Sequence, residues 1–374
     1  MKCAYVTKSS WAENSPGFIF SYFQAFGISE NKIDVTLIIQ NPKNTIAKKK
    51  KMESSSSDYF NIKLIKNNFG IVKAHEIFYM RANKYILSNN FDVVFTRDPG
   101  YLPFLVKLKN RANKKIYYQS HNFYLDFNIH EYIRSDDRKK FNRYEKKYLN
   151  NLDGMMTLNN PQKKLYQKYV DIPISSCPPG LKLTGKKSKF NNQEVAYCGS
   201  FQPLKGIESI IKLWKDHLFD YKLSLVGGRN DNELSYVNNI IAKNNIDNVK
   251  LNKWVFYNDL PDIITRSSVG LIILPDNFYN KYLTAPNKLF DYISFGMPVV
   301  CTDFPSIRDL IPNDHQGVRF IKPGDTQGYV AELKRLLTEE KYYNELQQSN
   351  LTLSESLSWK KQSANLIKSI RSKS

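Results

Sequence analysis

Three cations, an imidazole and a carboxylate stand where short apolar runs give way to glycine, proline or polar residues. Lys205 closes the segment Gly199-Ser200-Phe201-Gln202-Pro203-Leu204-Lys205-Gly206 that follows Val195–Cys198. Arg97-Asp98 follows Phe91–Phe95, and His121 follows Lys115–Gln119. Lys288 and Asp291 stand one turn apart in APNKLFDY, beginning at Ala285. A helix opened by Pro286, where a missing N–H costs nothing, would carry that lysine near an end that attracts anions. Such a set suits an anionic ligand. Gly227-Gly228, ahead of Arg229, lets a backbone approach a ligand closely, though the same pair makes an ordinary turn. Ser15-Pro16-Gly17 opens another helix, and nests of backbone N–H groups bind anions.

The elements that must hold these residues alternate between strand and helix. Strands are expected at Cys3–Val6, Val35–Ile39, Phe91–Phe95, Lys115–Gln119 and Gly154–Leu158. Helices are expected at Gly17–Gly27, Ile71–Leu87, Leu102–Lys109, Tyr144–Leu152 and Pro161–Tyr169, with a polar loop over Lys48–Ser57. Ile172–Lys189, rich in Pro, Ser, Gly and Lys, reads as a linker. The pattern then restarts: strands at Val195–Cys198, Leu223–Val226, Val249–Leu251, Val269–Leu274, Pro298–Cys301 and Val318–Ile321, with helices between. Gly296 falls where a left-handed C-terminal cap is expected, with Pro298 beyond it. This alternation predicts an α/β protein with parallel sheets, whose ligands sit at the carboxyl ends of the strands.

Ala285–Thr302, APNKLFDYISFGMPVVCT, resembles the nucleotide-sugar signature of GT-B glycosyltransferases of the family 4 type, the group 1 transferases. There a Pro-x-Lys-x-x-Glu-Tyr helix start is followed by Ala-x-Gly-x-Pro-Val-Val; here Pro286, Lys288, Asp291, Tyr292, Gly296, Pro298, Val299 and Val300 match. The resemblance implies two Rossmann-like domains facing a cleft. It assigns residues 1–180, completed by a terminal helix over 358–371, to the acceptor, and 190–357 to the nucleotide sugar. It implies a retaining transfer from a UDP- or GDP-linked sugar to a glycan or lipid-linked hydroxyl in cell-surface polysaccharide synthesis, with no other cofactor. Asp291 then accepts hydrogen bonds from the donor ribose. Lys205 and Gly206 match the family's Lys-Gly loop, whose cations neutralise the pyrophosphate. Gly17, Gly199, Ser200, Gly227, Asn287, Lys288 and Leu289 fall beside the donor. His121 resembles the histidine of a Glu-x-His element and, with Arg97, falls on the acceptor side; His121, Lys205 and Asp291 are the catalytic candidates. The chain departs from the pattern at Asp291 (usually Glu), Leu283 (often a second Glu), Ser200 (usually Arg) and Gln119 (usually an acid).

Composition bounds the remaining classes. At 374 residues, 41% of them hydrophobic, two domains with real cores are expected. Met1-Lys2 leads straight into a strand, so no signal peptide is expected, and no apolar run approaches the roughly 20 residues of a membrane span. Cys3, Cys177, Cys198 and Cys301 form no CxxC pair and read as thiols of a reducing, cytoplasmic compartment. No Asp-x-Asp pair or zinc spacing is present, so no metal is expected and charge on the donor falls to Lys205, helix N-termini and backbone donors. The net charge is uneven: 33 Lys and Arg against 15 Asp and Glu in residues 1–190, but 22 against 20 in 191–374. The basic half predicts a polyanionic partner, such as an anionic membrane leaflet or acceptor. Trp254 and Phe256 read as core aromatics. A nucleotide-sugar epimerase of the same fold and a basic nucleic-acid-binding protein are the other classes open, although no recognised nucleic-acid-binding module is present and none is expected as a partner.

Overall fold

Two all-parallel sheets organise the protein in the computed structural model, which describes residues 1–10, 15–41, 57–69, 72–126, 135–190, 193–202, 205–218 and 220–371. The chain divides into two units. The first comprises Met1–Gly180, Tyr282–Ala285 and Trp359–Ser374, and the second Leu181–Lys281 and Pro286–Ser358. The loop expected over Lys48–Ser57 lies, but for Ser57, outside the described residues.

In the first unit the strands are β1 (Lys2–Ser10), β2 (Asp34–Gln40), β3 (Phe60–Ile65), the two-residue β4 (Asn68–Phe69) and β5 (Val72–Lys73), β6 (Val93–Thr96), β7 (Lys115–Gln119), β8 (Gly154–Thr157) and β9 (Ile174–Ser176). Seven of them form one sheet in the order β3-β2-β1-β6-β7-β8-β9. The order reverses between β1 and β6, so the loops after those strands part there and leave a crevice at their carboxyl ends. The helix Pro16–Ser29 starts from Ser15, whose hydroxyl accepts the Phe18 N–H at 3.3 Å. The helix Trp359–Arg371 lies directly against it: a Cβ on Gly27 would come within 2.5 Å of the Trp359 carbonyl oxygen, so only glycine permits that approach.

Three expectations for this unit need correction. The helix expected from Ile71 starts at His75, because Val72–Lys73 pairs antiparallel with Asn68–Phe69 and Ala74 is still extended. The expected linker Ile172–Lys189 begins with a strand instead: Ile174, Ser175 and Ser176 pair with Met155, Met156 and Thr157. The basic helix expected over Tyr144–Leu152 runs over Ser135–Tyr148 and tightens into a 3₁₀ turn at Leu149–Asn151.

The second unit contains β10 (Glu194–Gly199), β11 (Lys222–Gly227), β12 (Val249–Lys253), β13 (Val269–Ile272), β14 (Val299–Thr302) and β15 (Val318–Ile321), ordered β12-β11-β10-β13-β14-β15. Here the reversal falls between β10 and β13. The core beneath is built from Tyr197, Phe201, Ile207, Ile211, Trp214 and Leu333, among others, all fully buried. The first half of Ala285–Thr302 forms the helix Asn287–Ser294. Pro286 is its extended N-cap rather than its first helical residue, and Gly296, at φ 63°, is the left-handed stop. Tyr292 ties this helix to β10: its hydroxyl donates to the Ala196 carbonyl at 3.1 Å and accepts the Cys198 N–H at 2.9 Å. That pair of bonds sets how the helix stands over the end of the strand.

Candidate functional site

The donor-side candidates other than Gly17, which lies in the first unit, gather at the carboxyl end of the second sheet. Gly199 ends β10 and Gly227 ends β11, paired in register. A Cβ on Gly227 would lie 1.7 Å from the Gly199 carbonyl oxygen, so the two loops leave the sheet in contact. Lys288 reaches back over β10. Its Nζ sits 3.5 Å from the centre of the Tyr197 ring, and a Cβ on Gly199 would lie 3.3 Å from that Nζ. Burial pushes the Lys288 ammonium down to about 7, and the Lys205 cation adds to the effect. Lys205, 5.5 Å from the Tyr279 ring centre, is held below the usual lysine range by burial and by Arg229. Arg229 in turn lies 5.6 Å from the Trp254 ring centre. Two lysines held below their usual range, with Arg229 beside them, are poised for an anion.

Asp291 sits one turn beyond Lys288, partly buried. The Tyr257 hydroxyl donates to its Oδ1 at 2.8 Å. Burial pushes the Asp291 carboxyl up to about 7, and the hydrogen bond from Tyr257 works the other way. Both residues open on a 280 Å³ pocket with Lys182, Thr184, Asn258 and Ser294.

The remaining candidates fall differently. Asn287 opens the helix, partly buried. Leu289 is a core residue: its side chain is fully buried and its N–H donates to the Pro286 carbonyl at 3.0 Å. Ser200, also buried, lends its carbonyl to the Tyr197 hydroxyl at 3.0 Å. The backbone N–H of Phe201 is taken by Glu233 Oε2 at 2.9 Å, so this loop is braced by a carboxylate. Trp254 and Phe256 are partly exposed rather than core, which leaves the indole free to carry Arg229. Cys3, Cys177 and Cys301 are buried, whereas Cys198 is only partly so. Among the described residues no group of three or more His, Cys, Asp or Glu comes together to hold a metal.

In the first unit, Gly17, Arg97 and His121 form a second cluster at its reversal point. Arg97 Nη1 donates to the Gly17 carbonyl at 2.8 Å, and Nη2 lies 3.1 Å from His121 Nδ1. The imidazole packs edge-on to Phe20 with ring centres 4.6 Å apart. Burial, with Arg97 beside it, holds the imidazolium pKa well below the ordinary value. Asp98 does not join this cluster. It is buried, accepts from the Lys8 N–H, and lies 3.4 Å from the Thr7 hydroxyl, fastening β1 to β6.

Sequence reasoning missed two groups. Tyr257, three past Trp254, was hidden in an aromatic run. Glu145 is buried in the helix Ser135–Tyr148, where it accepts from the Tyr166 hydroxyl at 2.7 Å and the Tyr124 N–H at 2.9 Å. A lone acid in a run of lysines gives no hint that it faces inward.

Two parallel sheets, each with polar residues at the carboxyl ends beside its reversal, are the layout of the GT-B glycosyltransferase fold, which the structural neighbours share. Residues 192–339 match the family model described as Glycosyl transferases group 1. Sucrose-phosphate synthase from Thermosynechococcus elongatus is similar in structure at TM-score 0.78, with 13% identity over 99% of this chain and 98% of that one. Anabaena HepE in complex with UDP and glucose gives TM-score 0.76 and 11% identity over the whole of both chains. A variant of S. aureus TarM in complex with fondaparinux, α-GlcNAc-glycerol and UDP gives 0.76 and 11%, over 99% of this chain and all of that one. No curated protein matches. These neighbours share the fold, and the family match over residues 192–339 supports a glycosyltransferase.

Proposed function

We propose that this protein transfers a sugar from a nucleotide-diphosphate donor to a hydroxyl of a glycan or lipid-linked acceptor, with retention of anomeric configuration and without a metal. The observation that carries the reading is the placement of Lys288 and Asp291 on one helix at the reversal of the second sheet, inside the segment that matches the family. Lys288, Lys205 and Arg229 supply positive charge for the diphosphate, and Asp291 accepts from the ribose. UDP is favoured over GDP because the structures of HepE and TarM cited above hold UDP.

In this reading the bond from the anomeric carbon to the donor phosphate breaks as the bond to the acceptor oxygen forms on the same face. The acceptor proton passes to a donor phosphate oxygen, so no protein nucleophile is needed. The lysines stabilise the nucleoside diphosphate as it leaves, with charge fixed before the reaction begins. Arg97 and His121 are assigned to the acceptor, His121 as a neutral hydrogen-bonding group.

The first unit offers an anionic partner a basic face. Lys107 and Arg111 on the helix Leu102–Ala112, and Lys139, Arg143, Lys146 and Lys147 on Ser135–Tyr148, are all exposed. Lys114 and Lys115 add to it, whereas the Lys48–Lys51 cluster lies outside the described residues. No helix among the described residues is long and apolar enough to cross a membrane. Peripheral docking on the anionic inner face of a cytoplasmic membrane, serving surface-polysaccharide synthesis, fits this charge. A screen of nucleotide sugars for donor hydrolysis, with and without EDTA, tests the reading. Turnover of one UDP- or GDP-sugar that survives EDTA is expected. No turnover of any nucleotide sugar contradicts the transferase, and loss with EDTA contradicts its metal independence.

A further inference from the structure

We propose that Tyr257 is a positioning residue of the nucleotide site: its hydroxyl holds Asp291 by Oδ1 and turns Oδ2 to the ribose of a nucleoside diphosphate. The inference rests on the reading that Asp291 binds the nucleotide. Tyr257 opens the 3₁₀ turn Tyr257–Asp259 beyond β12, at one edge of the second sheet. Asp291 stands on the helix beyond β13, across two intervening strands. The 2.8 Å bond therefore joins elements far apart in the chain and fixes a short carboxylate that has one methylene fewer to search with than glutamate. Among the described residues no other side chain donates to that carboxylate. Asp291 itself lines the pocket.

The groups around Asp291 make the hydroxyl matter. From β10 comes the Cys198 thiol, from its own helix Lys288 and Tyr292, and across the pocket Lys182 and Lys186. Lys182 Nζ lies 3.3 Å from Asn258 Oδ1, and Lys186 is ion-paired with Asp262, so both have partners other than Asp291. Tyr257 is thus the direct donor that favours the ionised carboxylate, the form able to accept from two ribose hydroxyls. A residue that merely filled space would leave the pH dependence of binding unmoved.

Two measurements on the full chain test this. UDP and GDP titrations from pH 6 to 9 should show Tyr257→Phe binding about tenfold more weakly than wild type at pH 7. That gap should narrow above pH 8, as the carboxyl ionises unaided. Tyr257→Phe should add nothing once Asp291→Asn is present. The second measurement needs no variant and no nucleotide: the ¹³C resonances of the Asp291 carboxyl and the Tyr257 ring should titrate together near neutrality. Separate titrations, or a Tyr257→Phe profile superimposable on wild type, overturn the proposal. If wild type binds neither nucleotide at any pH, the functional reading fails while the shared titration still reports on the pair.

Discussion

Arg97 lies with Nη2 3.1 Å from Nδ1 of His121, and a guanidinium can only donate. The imidazole must therefore offer the Nδ1 lone pair and carry its proton on Nε2, which is buried with no partner in the protein among the described residues. A second proton is opposed by burial and by the neighbouring cation. His121 is a neutral donor in waiting, aimed by Arg97. Its ring resonances should show no titration near the usual value of about 6.5, and Arg97→Gln should move the midpoint upward while burial still holds it below that value. A wild-type midpoint near 6.5 contradicts this assignment.

Glu145 makes the opposite case, a buried acid whose pKa burial pushes up to about 8 against hydrogen bonds from Tyr166, Tyr124 and Tyr118. The folded chain keeps a proton that the unfolded chain releases near 4.5. Its stabilising contribution is therefore complete below that value and is lost as pH rises through 8. The loss has a slope of up to ~1.4 kcal/mol per pH unit. Glu145→Gln removes the titration. Chemical denaturation at pH 5, 7 and 9 should show wild type losing more stability with rising pH than the variant; parallel curves contradict the account.

Much of this was legible in the sequence, and where it was not the reasons are physical. Lys115–Gln119 and Val318–Ile321 form strands over the spans expected, because continuous apolar or β-branched runs bounded by polar residues leave few alternatives. Gly296 marked the helix stop because a left-handed position there favours glycine. By contrast β3, Phe60–Ile65, is an edge strand with exposed Asn61 and Lys63, and that alternation was lost in polar surroundings. Ile174–Ser176 was hidden by flanking prolines and serines, which say linker until tertiary pairing says strand. At the site, Lys288, Lys205 and Asp291 were picked out because the runs that hold them resemble the family's signature. Tyr257 escaped because its role depends on a partner 34 positions away.

The basic face predicts salt-sensitive binding to anionic vesicles. Each basic residue near such a surface contributes about 1 kcal/mol, falling off within a Debye length. Lys139, Arg143, Lys146 and Lys147 share the exposed side of one helix and serve better as targets than Lys140, which is paired with Glu76 at 3.1 Å. Replacing those four with Glu should abolish sedimentation with anionic vesicles at low salt and leave donor hydrolysis nearly unchanged. Neutral vesicles should bind neither form. Equal sedimentation of wild type and variant would remove the membrane from the account.

Calorimetric titration of UDP and GDP into wild type and Asp291→Ala tests the nucleotide site most directly. Hydrogen bonds to a charged acceptor contribute ~1.5–3 kcal/mol. The variant should therefore bind roughly tenfold to a hundredfold more weakly, with its unfolding temperature little changed. Asp291→Glu, which restores the residue usual in the resembling family, should bind nearly as wild type. Unchanged nucleotide affinity in a folded Asp291→Ala protein would contradict the site.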